Sequence, residues 1–449
     1  MTENPFRAII IGGGPTGLVL AHTLTKAGID FVVLERARTI IPENGAGIVL
    51  YAHNQRVFDQ LGILDAIREV SMEITSNKVI TKNGYHYDTH DPTEWTIKNH
   101  GVGYLWADRP QLLGAVYDNL PDSAKKKFLP GKNVENIEVA AEGVQVACSD
   151  GTIETGSVII GADGLNSRVR QHMRELSLKE PGIVTNDEKS FTATYRCLFG
   201  NTRKTIPELG YRQQWDMRSK GVCSQVFGGE DRSWFLFYQK LPETTRDPKK
   251  YTKEEEEQFV NEFGDYFVTP DTRLKDIYKG SHWCRLSDLH EGYVKQFSHG
   301  RMVLVGDAIT KQVPNHGLGW NCGIQDAVVL TNKLRALLER NKRPGMAEIE
   351  VVFKAYQMER EKPLIRSVEM GSFVIKTSTW DNTLDWLFDR HILRWIRITY
   401  FLYRLKIAPL ISEGQLLDFL PVGKRYVGCV PWVYEGTETR IKGYSDCSS

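Results

Sequence analysis

The 449-residue chain contains no apolar run approaching the roughly 18–20 residues that a membrane-spanning helix requires. It has almost no net charge, with 57 Lys and Arg against 56 Asp and Glu. That balance removes the electrostatic case for a nucleic-acid partner, which needs a basic face. The seven cysteines (Cys148, Cys197, Cys223, Cys284, Cys322, Cys429 and Cys447) are odd in number, scattered, and never spaced as Cys-x-x-Cys. This argues against a disulfide framework and against zinc, and fits a reducing compartment. No His/Asp/Glu cluster suggests another metal. The N-terminal stretch is polar and runs straight into a strand pattern, so no leader is expected and the protein is expected to be cytoplasmic. Internal repeats and low-complexity tracts are lacking. What remains is an ordinary globular composition, 41% hydrophobic and 25% charged, long enough for two or three domains.

The most informative stretch is the first 35 residues. A β-branched run, Ala8-Ile9-Ile10-Ile11, precedes Gly12-Gly13-Gly14-Pro15-Thr16-Gly17. A helical pattern follows from Leu18 to Ala27, then a second apolar run, Phe31-Val32-Val33-Leu34, ending on Glu35. Strand, glycine turn, helix, strand and acid together form a dinucleotide fingerprint. Gly12 permits the tight turn, Gly14 lets a pyrophosphate approach the backbone, and Gly17 lets helix and strand pack closely. The helix N-terminus offers free N–H groups to phosphates. Glu35 is an acceptor for ribose hydroxyls. On these residues alone the ligand is either NAD or FAD.

Further along, Arg36 to Ile48 reads as a loop, and Asn54 to Glu69 has helical spacing. Asn83-Gly84 between strand-like flanks marks a hairpin over Lys78 to His90. Asp108-Arg109-Pro110 opens a helix, with Asp108 as the expected N-cap. Short alternating strands from Val134 to Val158 form a meander. Val158-Ile159-Ile160-Gly161 is a buried strand ending at Ala162-Asp163-Gly164. Aromatic-rich strands at Phe191 to Phe199, Val222 to Phe227 and Ser233 to Leu241, with an acidic helix at Lys253 to Phe263, read as a separate sheet domain that walls a substrate pocket. A third apolar strand, Arg301 to Val305, ends at Gly306-Asp307. Helices are expected from about Cys322 to Leu338 and from Met346 to Met370, the second kinked at Pro363. The tail reads as mostly helical.

The N-terminal glycine motif with Glu35, the Asp163-Gly164 motif, and Gly306-Asp307 with its loop Pro314-Asn315-His316-Gly317-Leu318-Gly319-Trp320-Asn321 together resemble the class A flavoprotein monooxygenases of the para-hydroxybenzoate hydroxylase type. The resemblance covers roughly residues 5 to 370. Asp108-Arg109-Pro110-Gln111-Leu112-Leu113 and Tyr195-Arg196-Cys197-Leu198-Phe199-Gly200 narrow it. With Phe419 to Arg425 in the tail, they are similar to fungal enzymes of terpenoid, indole-diterpenoid and polyketide pathways that epoxidise alkenes or hydroxylate rings. The implied fold is α/β: a Rossmann-type, glutathione-reductase-like FAD-binding domain with a β-sheet substrate domain and C-terminal helices. Its expected divisions are 1–175 and 291–370 for the two parts of the FAD-binding domain, 176–290 for the substrate sheet, and 371–449 for the C-terminal helical region.

The resemblance implies FAD and NAD(P)H as cofactors and one oxygen atom inserted from O2 through a flavin C4a-hydroperoxide. It implies cofactor contacts from Gly12, Gly14, Gly17, Glu35, Val49, Arg109, Asp163, Asp307, Gly319 and Trp320. Arg109 would meet the pyrophosphate or ribityl chain, Asp163 both FAD and the nicotinamide cofactor, and Asp307 a ribityl hydroxyl. Val49, on the loop after Glu35, and Gly317 to Asn321 would flank the flavin ring. Val49 and Trp320 stand where relatives carry small residues. Ile309-Thr310 replace the usual Ala-His region after Gly-Asp-Ala, and His316 is also uncommon. Trp320 either reshapes the substrate cavity or fills a gap. Arg196 and Tyr195 are the substrate-side catalytic candidates, on opposite faces of a regular strand; Tyr211 and Tyr238 lie nearby without a clear match. The substrate is expected to be a small hydrophobic molecule, most simply a prenylated or terpenoid alkene, with aromatic hydroxylation, an FAD oxidase or a dehydrogenase as alternatives. The Trp-x-Trp-x-Ile-Pro signature of flavin halogenases is absent. Finally, Arg390 to Ile411 interleaves Trp395, Tyr400, Phe401 and Tyr403 with Arg390, Arg394, Arg397, Arg404 and Lys406. Such a helix either packs on the domain with its cations solvated or makes a peripheral contact with an intracellular membrane.

Overall fold

A computed structural model describes residues 6–87, 92–180, 182, 184–393 and 395–435. The opening run forms strand β1 (Arg7–Ile11), with Ala8 to Ile11 buried. Helix α1 (Pro15–Ala27) follows, with Pro15 in its first turn and Gly28 in the left-handed conformation (φ +67°) closing it. β2 (Asp30–Glu35) returns parallel to β1. β3 (Gly47–Leu50) lies apart, antiparallel to Leu105–Asp108. β4 (Val158–Gly161) pairs parallel with β1 on its other side and with Met302–Leu304 beyond. The result is a six-stranded sheet ordered 298–299, 302–304, β4, β1, β2, 128–130. Its central strands are continuous apolar runs because both faces are covered, by α1 on the side of Ile10 and by the antiparallel meander on the side of Ile9, which abuts Gly156. The meander appears as a separate three-stranded antiparallel sheet over Val134–Ala140, Gly143–Cys148 and Ile153–Gly156.

A second, eight-stranded sheet carries β5 (Thr192–Thr202), β6 (Gln213–Ser219), β7 (Val222–Gly228) and β8 (Ser233–Thr245). Its order is 310–311, 281–293, β5, β8, β7, β6, 76–81, 86–87. The Asn83-Gly84 hairpin therefore belongs to this sheet: Ser76–Thr81 pairs parallel with β6, although it precedes the substrate segment by about a hundred residues. His90, the expected end of that hairpin, lies outside the described residues, as does Cys447. Alternation divides the faces. Leu198, Val222, Val226, Phe235 and Phe237 pack beneath the helix Lys253–Phe263. Tyr195, Cys197, Cys223, Phe227, Trp234, Leu236 and Tyr238 form the opposite face, packed with Trp106, Val313, Ile375, Val49 and Tyr51. That second face is turned toward the glycine-bearing loops.

Helix α2 (Gly319–Arg340) starts three residues earlier than expected, and α3 (Met346–Ser378) continues through Pro363 to Ser378 rather than ending at Met370. The expected helix over 54–69 is two helices, Ala52–Leu61 and Leu64–Glu69, because Gly62 adopts φ +81° between them. Asp108 sits at an N-cap position, but its side chain does not cap the helix; it accepts the Trp234 indole N–H at 3.0 Å. The tail is helical only as far as α4 (Thr383–Leu387), a π-turn at Phe388–Ile392, α5 (Ile396–Lys406) and Ala408–Ser412. From there to residue 435 it is irregular and crosses the first domain, where Gln60 donates to the carbonyls of Leu417 and Leu420. Among the described residues, no helix is long and apolar enough to cross a membrane.

Candidate active site

The glycine turn is built as its sequence requires. Gly12 has φ +107°, and a Cβ there would collide with the backbone of Ala162. A Cβ on Gly17 would overlap the Gly12 carbonyl, so helix and turn touch through backbone alone. Gly14 differs: a Cβ there meets nothing within 4 Å, so its missing side chain leaves open space over the α1 N-terminus. That terminus has no side-chain cap and no acid in its first turn, which leaves its N–H groups for an anion.

Glu35 closes the far side. Its Oε2 accepts from the Gly13 N–H at 2.6 Å and its Oε1 from the Ala37 N–H at 2.7 Å. Each carboxylate oxygen keeps further acceptor capacity for a ribose hydroxyl. Arg109 opens the helix Arg109–Asp118, its stem packed on Gly45. Its Nε is buried without a hydrogen-bond partner. Burial lowers its pKa, while the Asp307 carboxylate works the other way. Asp163 follows β4. Its Oδ2 accepts from the N–H groups of Arg168 (2.7 Å) and Val169 (3.2 Å), while its Oδ1 is buried and unpartnered. Burial raises the Asp163 pKa. Asp307 lies in a short 3-10 turn and pairs with Lys311. The buried Asp326 holds that turn: it accepts from the Gly306 N–H at 2.9 Å and from Arg360 Nε at 2.7 Å.

The loop before α2 meets β3. Gly317 has φ +68°, and a Cβ there would lie 2.6 Å from that of Val49. Gly319 opens α2 with space around it. Asn321 Nδ2 donates to the carbonyls of Val49 and Gly317, both at 2.8 Å, and its Oδ1 accepts from the Tyr51 N–H and from Asn54 Nδ2. Gln325 extends the network by donating to Asn54 Oδ1. The Trp320 ring packs against Phe58 (centroids 5.6 Å apart) on the main core. His316 is likewise accommodated inside the fold, against Gly371, where any Cβ would crowd its ring.

Tyr195 and Arg196 part company, as strand alternation requires. Tyr195 is on the face toward β3 and donates from its hydroxyl to Asp381 at 2.9 Å. Arg196 is on the other face, bonded to Gln239 Oε1 (2.6 Å) and stacked over Phe259 and Tyr251. The expected substrate-side role for Arg196 is therefore corrected: the structure does not bring it to the face where Val49 and the glycine loop converge. The register shift between Ala193 and Tyr195 leaves this alternation intact. Tyr211 is exposed, and Tyr238 is buried on the same face as Tyr195.

Sequence reasoning missed Asn321 with Asn54 and Gln325, the Asp326–Arg360 pair, and the partners of Tyr195. A buried Asp among Ile324, Ala327 and Val328 was a signal for the second. Asp381, which gathers Tyr195, Lys240 (2.6 Å) and Thr379 (2.5 Å), gave none.

The cradle fits FAD. Open space at Gly14 and Gly319, an unpaired buried Nε on Arg109 and an unpaired buried oxygen on Asp163 are what a ligand with phosphates and hydroxyls would complete. Comparison with known proteins agrees. Residues 6–362 match the family described as "FAD binding domain". The FAD-dependent monooxygenase ausM of Penicillium brasilianum is 30% identical, covering 94% of this chain and 89% of its own. Monooxygenase srdH of Neurospora crassa is 30% identical over 95% of this chain and 98% of its own. Klebsiella pneumoniae HpxO, solved with FAD and uric acid, superposes with a TM-score of 0.70 at 21% identity, over 90% of this chain and 96% of its own. The 2,6-dihydroxypyridine-3-hydroxylase of Arthrobacter nicotinovorans does so at 0.65 and 18%, over 83% and 93%. At such identities the solved structures speak for the fold.

Proposed function

The chain belongs to the FAD binding domain family and is an FAD-dependent monooxygenase with NAD(P)H as reductant; from that premise we propose that it epoxidises an alkene of an apolar, prenylated or terpenoid small molecule in fungal secondary metabolism. One observation carries the reading. On the sheet face toward β3, the polar tips of the aromatic side chains are already satisfied within the protein: Tyr195 by Asp381, Tyr238 by Gln225 Oε1 at 3.0 Å, and Trp234 by Asp108. Burial raises the pKa of Tyr195 and Tyr238, so both hydroxyls keep their protons. The strand's cation, Arg196, lies on the opposite face. Such a wall offers carbon to a substrate and, with its cations Lys240 and Arg218 already paired with Asp381 and Asp389, no spare group to stabilise a phenolate. Alkene epoxidation needs none, whereas phenol hydroxylation is helped by one.

Gly14 would admit the pyrophosphate of FAD beside the turn that Gly12 and Gly17 make possible, Glu35 would accept from the ribose, and Arg109, Asp163 and Asp307 would take the phosphate and ribityl groups. Val49, Gly319 and the Trp320 backbone would line the place of the flavin ring. When bound and reduced by NAD(P)H, FAD would supply the chemistry that activates O2 for transfer of one of its oxygen atoms. The chain orients the alkene against Trp106, Phe227 and Leu236 and excludes water from that face. The N-terminus of α2 would offer its positive end to negative charge on a bound flavin. Tyr195 acts on the wall through its bond to Asp381. A peripheral contact of the C-terminal region with an intracellular membrane, on its cytoplasmic side, supplies a greasy substrate.

The test is a panel of prenylated and unprenylated phenols and terpenoid alkenes given to the purified holoprotein. An alkene that accelerates NADPH oxidation and is recovered as its epoxide supports the proposal. A hydroxylated ring from the same panel replaces it with aromatic hydroxylation, and a dehydrogenated product replaces it with an oxidase or dehydrogenase.

A further inference from the structure

Helix α5 has two apolar faces, and a helix packed on one domain needs only one. Its inner face is accounted for. Tyr403 is buried and Tyr400 half-buried against Trp95, with ring centroids 5.8 and 5.7 Å away. Their hydroxyls are bonded to Thr96 (2.9 Å) and Asn99 (3.1 Å). The outer face carries Ile398, Phe401 and Leu405, spaced as neighbours on one helix stripe and 43, 63 and 55% exposed. Trp395, just before the helix, continues the stripe at 67% exposure. The preceding segment adds Leu384, Trp386, Leu387 and Ile392, all exposed. Eight large apolar side chains thus face outward across three consecutive elements.

The exposed charge around them is mostly positive. No acid occurs in α5, whose Arg404 and Lys406 are exposed. Of the three acids nearby, Asp381 is paired with Lys240, and Asp389 is buried and paired with Arg218 and with the Trp380 indole N–H. Asp385 accepts from the Asn382 amide at the start of α4. A basic helix with a broad apolar face, flanked by tryptophans, fits the boundary of an anionic bilayer: its cations meet lipid headgroups and its rings enter the acyl region. A helix-binding groove on a protein would take one narrow stripe; here the apolar side chains spread beyond a single helix.

The same segment is tied to the substrate sheet. Asp381 accepts from Tyr195 of β5 and from Lys240 of β8, and Asp389 pairs with Arg218 of β6. We propose that α4, α5 and the turn between them seat the enzyme on an anionic membrane surface, and that the Asp381 and Asp389 attachments hold this seat beside the aromatic wall, so that a lipid-dissolved substrate reaches the site from the bilayer. The idea deepens the apolar-substrate reading and rests on it for the identity of the cargo; lipid binding itself is measured without turnover.

The test uses the full-length holoprotein, floated with vesicles of phosphatidylcholine alone or with about 30 mol % phosphatidylserine. Expected is flotation with the anionic vesicles, weakened by high salt, and at least about tenfold less with phosphatidylcholine alone. The variant Ile398→Ser/Phe401→Ser/Leu405→Ser is expected to stay in the dense fraction while keeping wild-type FAD absorbance and circular dichroism. Should that variant lose FAD, Phe401→Ser alone makes the comparison. Wild-type protein that stays in the dense fraction overturns the proposal, and so does a folded variant that floats like wild type. A self-association that the variant abolishes, in protein that ignores anionic vesicles, assigns the face to a second copy instead. Lipid binding by a protein that fails to oxygenate any alkene leaves this inference standing and removes the substrate reading.

Discussion

Asn321 bolts Val49 to the first turn of α2: its amide Nδ2 donates to the Val49 carbonyl at 2.8 Å, while its Oδ1 accepts from the N–H of Tyr51 at 3.0 Å. One buried side chain thus sets the position of β3 relative to the loop that carries Gly317 and Gly319. Asn321→Leu leaves at least a buried carbonyl and a buried N–H without partners. The expected cost is about 2–4 kcal/mol, read as a lower urea midpoint, with faster FAD loss on dilution. A midpoint within error of wild type would mean that β3 is held by other contacts.

Gly17 and Gly14 separate folding from cofactor binding. Gly17→Ala places a Cβ against the Gly12 carbonyl and is expected to destabilise the fold by several kcal/mol, of the order of 2–4. Gly14→Val places its side chain in open space, so thermal stability of the apoprotein stays near wild type while FAD no longer binds. Differential scanning of the two apoproteins, with flavin absorbance after reconstitution, checks both.

Arg109 has a buried Nε with no acceptor in the protein itself. Arg109→Ala removes a charge-assisted contact, at a cost of about 2–3 kcal/mol in FAD binding, or roughly 30- to 150-fold in Kd. Arg109→Lys recovers only part of it, because an ammonium cannot form the planar fork. Fluorescence titration of FAD into apoprotein measures all three proteins.

Two buried rings give the fold an acid sensitivity. Burial pushes His53 down to about 3, helped by the charges of His100, Arg360 and Arg56, and pushes His316 down to about 4. Between those values and the ordinary 6.5, the unfolded chain binds protons that the native state refuses. Stability therefore falls as the pH drops below about 6.5, by up to about 1.4 kcal/mol per pH unit for each ring. Asp163 and Asp326, whose carboxyls burial raises, act in the opposite sense but are common to any pair of variants compared. Urea unfolding between pH 7 and 5 is expected to show a shallower acid slope in His53→Gln, by about one proton. Parallel slopes would contradict a neutral His53.

What could be read from the chain was local. β1, the glycine turn, α1 and β2 announce themselves because two apolar runs, a glycine turn and a helical pattern follow one another without a break, with Gly17 answering the nearby Gly12 carbonyl, and the helix 253–263 lies where its acidic start and apolar spacing put it. What escaped was decided by distant partners. Asp108 looked like a cap, but Trp234 reaches it from 126 residues away. The hairpin at 76–87 looked like part of the first domain, yet its parallel partner, β6, comes after six intervening strands of other sheets. Alternation placed Tyr195 and Arg196 on opposite faces, but only the location of the helix 253–263 said which face was which. The Asn321 network was illegible because amide side chains in a glycine-rich loop look like solvated turn residues until the strand they hold is known.

The most direct test of the account is turnover under 18O2 with NADPH and a prenylated alkene that stimulates flavin-dependent NADPH oxidation. The account predicts a product carrying one 18O atom as an epoxide, formed in proportion to the NADPH consumed. A product free of 18O, with the label recovered as hydrogen peroxide, would contradict it.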